Sequence, residues 1–200
     1  MAEIKAQAVK ELRQKTGLGM MDCKQALQES DGDIEKAVEF LRKKGLSAVE
    51  KRAGRDASEG LIETYIHHGS RLGVMVEVNC ETDFVARTED FQEFAKDVAM
   101  HIAAAHPLAV DRQSISTELV EKEKAIYLEQ SKNEGKPEHI AEKIVEGRLD
   151  KFFQENCLME QAFVKNPDQT IDELLIELTA KIGEKISVRR FTRFVLGEDG

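Results

Sequence analysis

The sequence predicts an α+β fold: a small three-helix N-terminal module, then a core of helices on a small antiparallel three-stranded sheet, with a helical hairpin. Three features predict it. First, apolar residues recur at helical spacing in three short runs before residue 44, broken by Gly17, Gly19 and the turn Ser30-Asp31-Gly32-Asp33. Second, Val74, Val76 and Val78 alternate with Met75, Glu77 and Asn79, and within a few residues Phe91, Phe94, Ala95, Val98 and Ile102 fall back to helical spacing. Third, two strongly charged stretches carry apolar seams and are joined by a short polar loop.

Taken in order, residues 3–15 form the first expected helix, with Ile4, Ala8 and Leu12 on one stripe, and the second runs from about Met21 to Glu29. The Ser30–Asp33 turn can cap the third, whose stripe is Ile34, Ala37, Val38 and Leu41. Lys43-Lys44-Gly45 ends this module, so the expected divisions are 1–44, a linker over 45–59 whose small and charged residues leave room for some helix, and a core over 60–200. Leu61–Ile66 and Leu72–Asn79 pair as a hairpin with His67–Arg71 at its tip, and a helix from Glu89 to Ala105 stops before Pro107. Thr117–Lys132 and Pro137–Asn156 form the helical hairpin around Asn133-Glu134-Gly135-Lys136. Its seam is Leu119 and Val120 on one side and Ile140, Ile144, Val145, Leu149 and Phe152 on the other. Thr170-Ile171-Asp172-Glu173 has capping-box spacing ahead of Leu174, Leu175, Leu178 and Ile182. A last strand runs from about Ile186 to Leu196, its alternation slipping at Arg189-Arg190 in a way that suggests a bulge.

Composition excludes several classes. A net charge of −9 argues against a non-specific nucleic-acid binder. The acidity is uneven: residues 1–56 carry +2 and the remainder −11. No apolar run approaches the roughly 20 residues that span a bilayer. The N-terminus reads as an amphipathic helix rather than a signal peptide, and a cytoplasmic protein is expected. Cys23, Cys80 and Cys157 lie far apart with no Cys-x-x-Cys, which fits free thiols in a reducing compartment.

Catalytic and ligand-binding motifs are scarce. The sequence has no P-loop and no glycine-rich dinucleotide turn, so no bound nucleotide or other cofactor is expected. His101 and His106 are five apart, off the spacing of three or four that shares a helical face, and His67-His68 have no companion ligands, so no metal site is expected. Glu81 and Asp83 are two neighbouring carboxylates, but no nucleophile or partner histidine accompanies them, and an enzyme is not expected. The turn Thr82-Asp83-Phe84-Val85, between strand and helix, has two readings on its own pattern. Thr82 or Asp83 caps the coming helix while Phe84 folds into the core, or Asp83 and Phe84 project as a charge and an apolar wedge offered to another protein.

Three blocks bear on that choice. Asn79-Cys80-Glu81-Thr82-Asp83-Phe84-Val85-Ala86, the run from Lys10 to Lys24 (Lys-Glu-Leu-Arg-Gln-Lys-Thr-Gly-Leu-Gly-Met-Met-Asp-Cys-Lys) and the run from Ala180 to Arg190 (Ala-Lys-Ile-Gly-Glu-Lys-Ile-Ser-Val-Arg-Arg) resemble, in order, the signatures of the elongation factor Ts family. The resemblance covers nearly the whole chain. It implies a ubiquitin-associated-type N-terminal module and a guanine-nucleotide exchange factor that binds elongation factor Tu carrying GDP, displaces its magnesium ion and promotes GDP release. Asp83 and Phe84 then become the intruding tip near that magnesium site, with Thr82 and Val85 fixing the turn. Leu12, Arg13, Met20 and Met21 match positions where the module grips the partner, although Leu12 also suits the core. Ile182 matches a contact position and equally a buried stripe. Longer members hold two related core halves; this chain has one, which resembles the short form that pairs as a homodimer in a two-plus-two complex. His68 would then reach elongation factor Tu from the second chain. An adaptor that binds peptides or nascent chains explains the small bundle but leaves the 82–85 turn without a task.

Overall fold

The computed structural model describes residues 4–134 and 137–198. Glu3 of the first expected helix, and Gly135 and Lys136 of the expected hairpin loop, lie outside the described residues. The architecture is α+β; the described residues form eight α-helices, a small antiparallel three-stranded sheet and a further two-stranded sheet. Two compact units divide the chain. The first holds the described residues of Met1–Leu61, Val78–Phe94 and Glu173–Ser187, the second those of Ile62–Glu77, Ala95–Asp172 and Val188–Gly200.

The first unit opens with three helices, α1 (Ala6–Thr16), α2 (Met20–Glu29) and α3 (Ile34–Arg52). Val9, Leu12, Cys23, Ala26, Leu27, Ala37 and Leu41 are buried together, and Ile4, Ala8, Ile34 and Val38 pack against them. Asp33 caps α3, its carboxylate accepting from the N–H groups of Glu35 and Lys36 at 3.0 and 3.1 Å.

α3 does not stop at Lys44 but continues through Gly45 to Arg52, so the stretch expected as a partly helical linker is helix over its first half. Gly45 read as a stop because glycine is a poor helix former. It is instead a close-approach glycine. A Cβ there would lie 3.2 Å from Ile176 Cγ2 and 3.6 Å from Ala180 Cβ, on the helix α8 (Ile171–Ile182). The two helices are tied at both ends of this contact. Arg42 pairs with Glu173, and Arg52 Nε donates to Gly183 O at 2.9 Å.

Strands β1 (Glu59–Ile66), β2 (Leu72–Cys80) and β5 (Ile186–Val195) form the three-stranded sheet in the order β1-β2-β5. Val74, Val76 and Val78 are all buried, as the alternation predicts, and so are Phe91, Phe94, Ala95, Val98 and Ile102 of α5 (Glu89–Ala105). The burial alternation of β5 slips where the sequence does. Arg189 and Arg190 are both exposed and both reach Glu77, at 2.9 and 2.7 Å, and the Arg190 hydrogen bond leads in holding that carboxyl below the usual range.

In the second unit, α6 (Thr117–Asn133) and α7 (Glu138–Asn156) pack along each other as the expected hairpin. Arg148 joins them, donating to Gln130 Oε1 at 2.7 Å and Glu134 Oε1 at 3.1 Å. Of the expected seam on α7, Val145 is buried and Ile144, Leu149 and Phe152 are half-buried; Ile140 is exposed instead, and its neighbour Ala141 takes the inward place. At the hairpin base Ala109, Ile115 and Cys157 are buried against Leu119, Val120, Phe152 and Phe153. Arg112 stacks 4.7 Å above the Phe153 ring and bonds Glu160 and Asp150.

The pair β3 (Ala162–Phe163) and β4 (Asn166–Thr170) was not expected, because Asn166-Pro167-Asp168-Gln169 has no strand character. Tertiary contacts hold it. His101 is fully buried; its Nε2 meets Gln161 Oε1 at 3.0 Å, and its Nδ1 accepts from the Val164 N–H at 3.3 Å. Lys165 reaches Asp97 at 2.6 Å.

Candidate functional site

The 82–85 turn folds as a single helical turn, α4 (Asp83–Ala86), with Thr82 in extended conformation at its N-cap. Four residues are too few for a helix to stand alone, and its bonds to the N-cap are long. Val85 N–H to Thr82 Oγ1 is 3.5 Å and Ala86 N–H to Thr82 O is 3.4 Å. Val85 turns inward and is buried, whereas Phe84 is 77% exposed. The two readings of this turn are thereby separated: Thr82 does cap, and the ring projects.

Shorter bonds come from elsewhere in the first unit. Thr82 N–H donates to Glu184 Oε2 at 3.0 Å and Thr82 Oγ1 to Glu184 Oε1 at 2.8 Å. In return the Lys185 N–H donates to Glu81 Oε1 at 2.6 Å. Arg55 also reaches Glu81, and Lys185 Nζ donates to the Ala53 and Arg55 carbonyls at 2.8 Å each. The Lys185 N–H, then Arg55, hold the Glu81 carboxyl below its usual range. Cys80 Sγ lies 3.1 Å from Thr82 O as a donor; burial, and next the charge of Glu184, push its thiol up to about 11. Among the described residues the Asp83 carboxylate pairs with Arg87, four residues on, at 2.7 Å and with both side chains well exposed. Such a pair contributes a few tenths of a kcal/mol, about 0.3–0.5, so the Asp83 carboxylate is readily redirected.

The other expected contact residues divide by exposure. Met20 and Met21 at the start of α2 are 59% and 74% exposed, and Arg13 is exposed. Leu12 is fully buried in the three-helix core, the place its apolar stripe suits. Ile182 is half-buried at the end of α8, consistent with a stripe residue that keeps an edge free. Its neighbour Lys181 bonds Asp90 at 2.6 Å, and a Cβ at Gly17 would lie 3.8 Å from the Lys181 side chain. Leu12, Arg13, Met20, Met21, Thr82–Val85 and Ile182 thus share the first unit, while His68, exposed on the hairpin tip, belongs to the second.

Comparison with known proteins bears on the family. A family model described as elongation factor TS matches residues 5–198. The chain belongs to the elongation factor Ts family. It is 60% identical over 195 residues to elongation factor Ts of Carboxydothermus hydrogenoformans, covering 98% of this chain and 90% of the relative. It is 58% identical to that of Syntrophobacter fumaroxidans, with 98% of each covered, and 60% identical to that of Desulfotalea psychrophila, with 97% and 98% covered. These elongation factor Ts relatives are therefore of nearly the same length as this chain.

Reading the sequence missed Glu184, Glu81, Arg55 and Lys185 as companions of the turn. Glu184 lies 102 residues from Thr82, and no periodicity links them. The only signal was the third family block, in which Gly183-Glu184-Lys185 follows the last turn of a helix. Among the described residues no group of His, Cys, Asp and Glu could hold a metal ion, and no helix is long and apolar enough to cross a membrane.

Proposed function

We propose that this chain is the guanine-nucleotide exchange factor of elongation factor Tu and acts through the Thr82–Val85 turn, not as an enzyme. The observation that carries the reading is Phe84: a large apolar ring held 77% exposed at the apex of a capped helical turn, in a chain of the elongation factor Ts family. In such a chain a ring this exposed is available as an apolar anchor for a partner's pocket.

The physics of exchange follows from linkage. A bound guanine nucleotide is held through its phosphates and a magnesium ion. A partner that prefers the nucleotide-free state weakens nucleotide binding by the same factor that nucleotide weakens the partner. Phe84 enters between side chains of elongation factor Tu, and Asp83, freed from its weak pair with Arg87, disturbs the contacts that hold magnesium and phosphate. Arg13, Met20 and Met21 supply the grip of the N-terminal helices, with Ile182 at the edge. The chain itself binds no nucleotide, nucleic acid or membrane, takes no cofactor, and works in the cytoplasm.

The same reading includes a homodimer that binds two copies of elongation factor Tu. Its support is an apolar face on the second unit. Ile66, Met75, Phe194 and Leu196 are all exposed, and Ile66, Leu72, Met75, Phe194 and Leu196 line a concavity of about 480 Å3. A second copy of the same face would cover it. Sedimentation of the wild type against Phe194→Glu tests this; a monomeric wild type removes the dimer.

The exchange reading is tested by release of a fluorescent GDP from elongation factor Tu in excess unlabelled nucleotide. Wild type should accelerate release strongly and Asp83→Ala and Phe84→Ala less so. No acceleration by the wild type refutes it.

A further inference from the structure

We infer that Glu184 is the positioning residue of the exchange site: its carboxylate, reaching in from the loop after α8, fixes the Thr82-Asp83-Phe84 turn in its projecting conformation before any partner arrives. This deepens the exchange reading and rests on it. The geometry that points to it is the contrast, at the N-cap, between weak bonds inside the turn and strong bonds from outside; the other end is closed by Thr88, whose hydroxyl and N–H donate to Val85 O at 2.7 and 3.0 Å. Within the turn the Val85 and Ala86 amides make contacts of 3.5 and 3.4 Å to Thr82. From outside, one carboxylate takes both donors of Thr82 at 3.0 and 2.8 Å. Hydrogen bonds to a charged acceptor are shorter and stronger than neutral ones. A four-residue helix does not nucleate unaided, so its conformation is set by what grips its cap.

The grip is reciprocal. Glu184 receives the 82 side of the turn while the next residue, Lys185, gives its N–H to Glu81 at 2.6 Å and its ammonium to two carbonyls of the 53–55 segment. Two adjacent residues of one loop thus hold two adjacent residues of the other. Thr82 has every polar atom engaged: the N–H and hydroxyl hydrogen on Glu184, the hydroxyl oxygen under Val85, the carbonyl under Cys80 and Ala86. Rotating the turn requires breaking these together. An exposed ring that samples many orientations binds a pocket less well than one already aimed at it, because ordering it on binding costs free energy. Glu184 therefore acts through Phe84 and Asp83 and need not touch elongation factor Tu.

The test uses the full chain with Glu184→Ala, Glu184→Gln, Phe84→Ala and the Glu184→Ala/Phe84→Ala double variant, with two readouts. In free protein, amide hydrogen exchange of the 82–87 segment should quicken at least about tenfold in Glu184→Ala, which loses both charged hydrogen bonds to Thr82. In GDP release from elongation factor Tu, Glu184→Ala should lower the stimulated rate about tenfold. Glu184→Gln, whose amide can accept from the Thr82 N–H and donate to its hydroxyl, should stay within about threefold of wild type. In the double variant the Glu184 change should add little to the loss already made by Phe84→Ala. The inference is overturned if the 82–87 amides of Glu184→Ala exchange at wild-type rates, if the two single effects multiply, or if Glu184→Gln is as poor as Glu184→Ala. Should Glu184→Ala not fold, Thr82→Val removes the hydroxyl donor to Glu184 together with the long 3.5 Å contact from Val85, keeps the Thr82 N–H on Glu184, and should show the same quickening on a smaller scale. A wild type that fails to accelerate GDP release refutes the exchange reading, and hydrogen exchange then still decides whether Glu184 holds the turn.

Discussion

Phe84→Ala separates function from stability, because the structure assigns the two effects different sizes. The ring is 77% exposed, so only about a quarter of its roughly 200 Å2 is covered in the folded chain. At about 25 cal/mol per Å2 the truncation removes ~1 kcal/mol of burial, and alanine's better helix propensity returns a few tenths, about 0.5 kcal/mol. For a chain of this size that is a fall in Tm of at most about 4 °C. Against a partner the same ring is an anchor, and truncating an interface anchor costs about 2–4 kcal/mol. The stimulated rate of GDP release should therefore drop roughly 30-fold or more. Thermal unfolding and GDP release on one preparation measure both. A variant that stimulates release as well as wild type refutes the anchor. A Tm loss well beyond about 6 °C with a proportionate loss of activity refutes the claim that the ring is idle in the fold.

Leu12→Ala should behave oppositely: a fully buried core leucine in a small bundle loses about 2–5 kcal/mol, so helix α1 should lose hydrogen-exchange protection, and Leu12→Met should restore protection and exchange activity together. If Leu12→Ala weakens exchange while α1 stays protected, Leu12 makes contact after all. Gly60→Ala should cost about 3 kcal/mol or more, because Gly60 has φ +143 and a Cβ there would lie 2.1 Å from Val78 O; a urea-unfolding loss below ~1 kcal/mol would show that the strands yield easily. Burial lowers the pKa of His101 below its ordinary 6.5, against a smaller opposing effect of Gln161. The unfolded chain therefore binds more protons than the folded one in the window just below pH 6.5, and stability, complete above it, falls as pH drops through it. The difference in unfolding free energy between wild type and His101→Gln, followed from pH 7.5 to 5, should shrink in that window if the wild type alone titrates there; a constant difference contradicts this. The groups facing His101 are Gln161 and the Val164 N–H, with Asp97 one turn earlier on α5 held by Lys165 and Glu160 held by Arg112.

Local pattern determined most of the elements by itself, because apolar spacing reports which face each segment must bury. Val74, Val76 and Val78 on β2, the Phe91–Ile102 stripe of α5 and the paired charged helices α6 and α7 all stand where periodicity puts them. The ordered motifs around Leu12, Thr82 and Gly183 determined the family. Elements stabilised from outside were not legible. Gly45 looks like a helix stop until Ile176 is seen 3.2 Å from where its Cβ would be, and β3 and β4 have no strand propensity of their own. At the candidate site the sequence supplied the cap and the ring but left two orientations open for Phe84. Tertiary structure alone decided between them: a turn too short to hold itself takes its shape from whatever carboxylate meets its cap, and that carboxylate belongs to Glu184, 102 residues away.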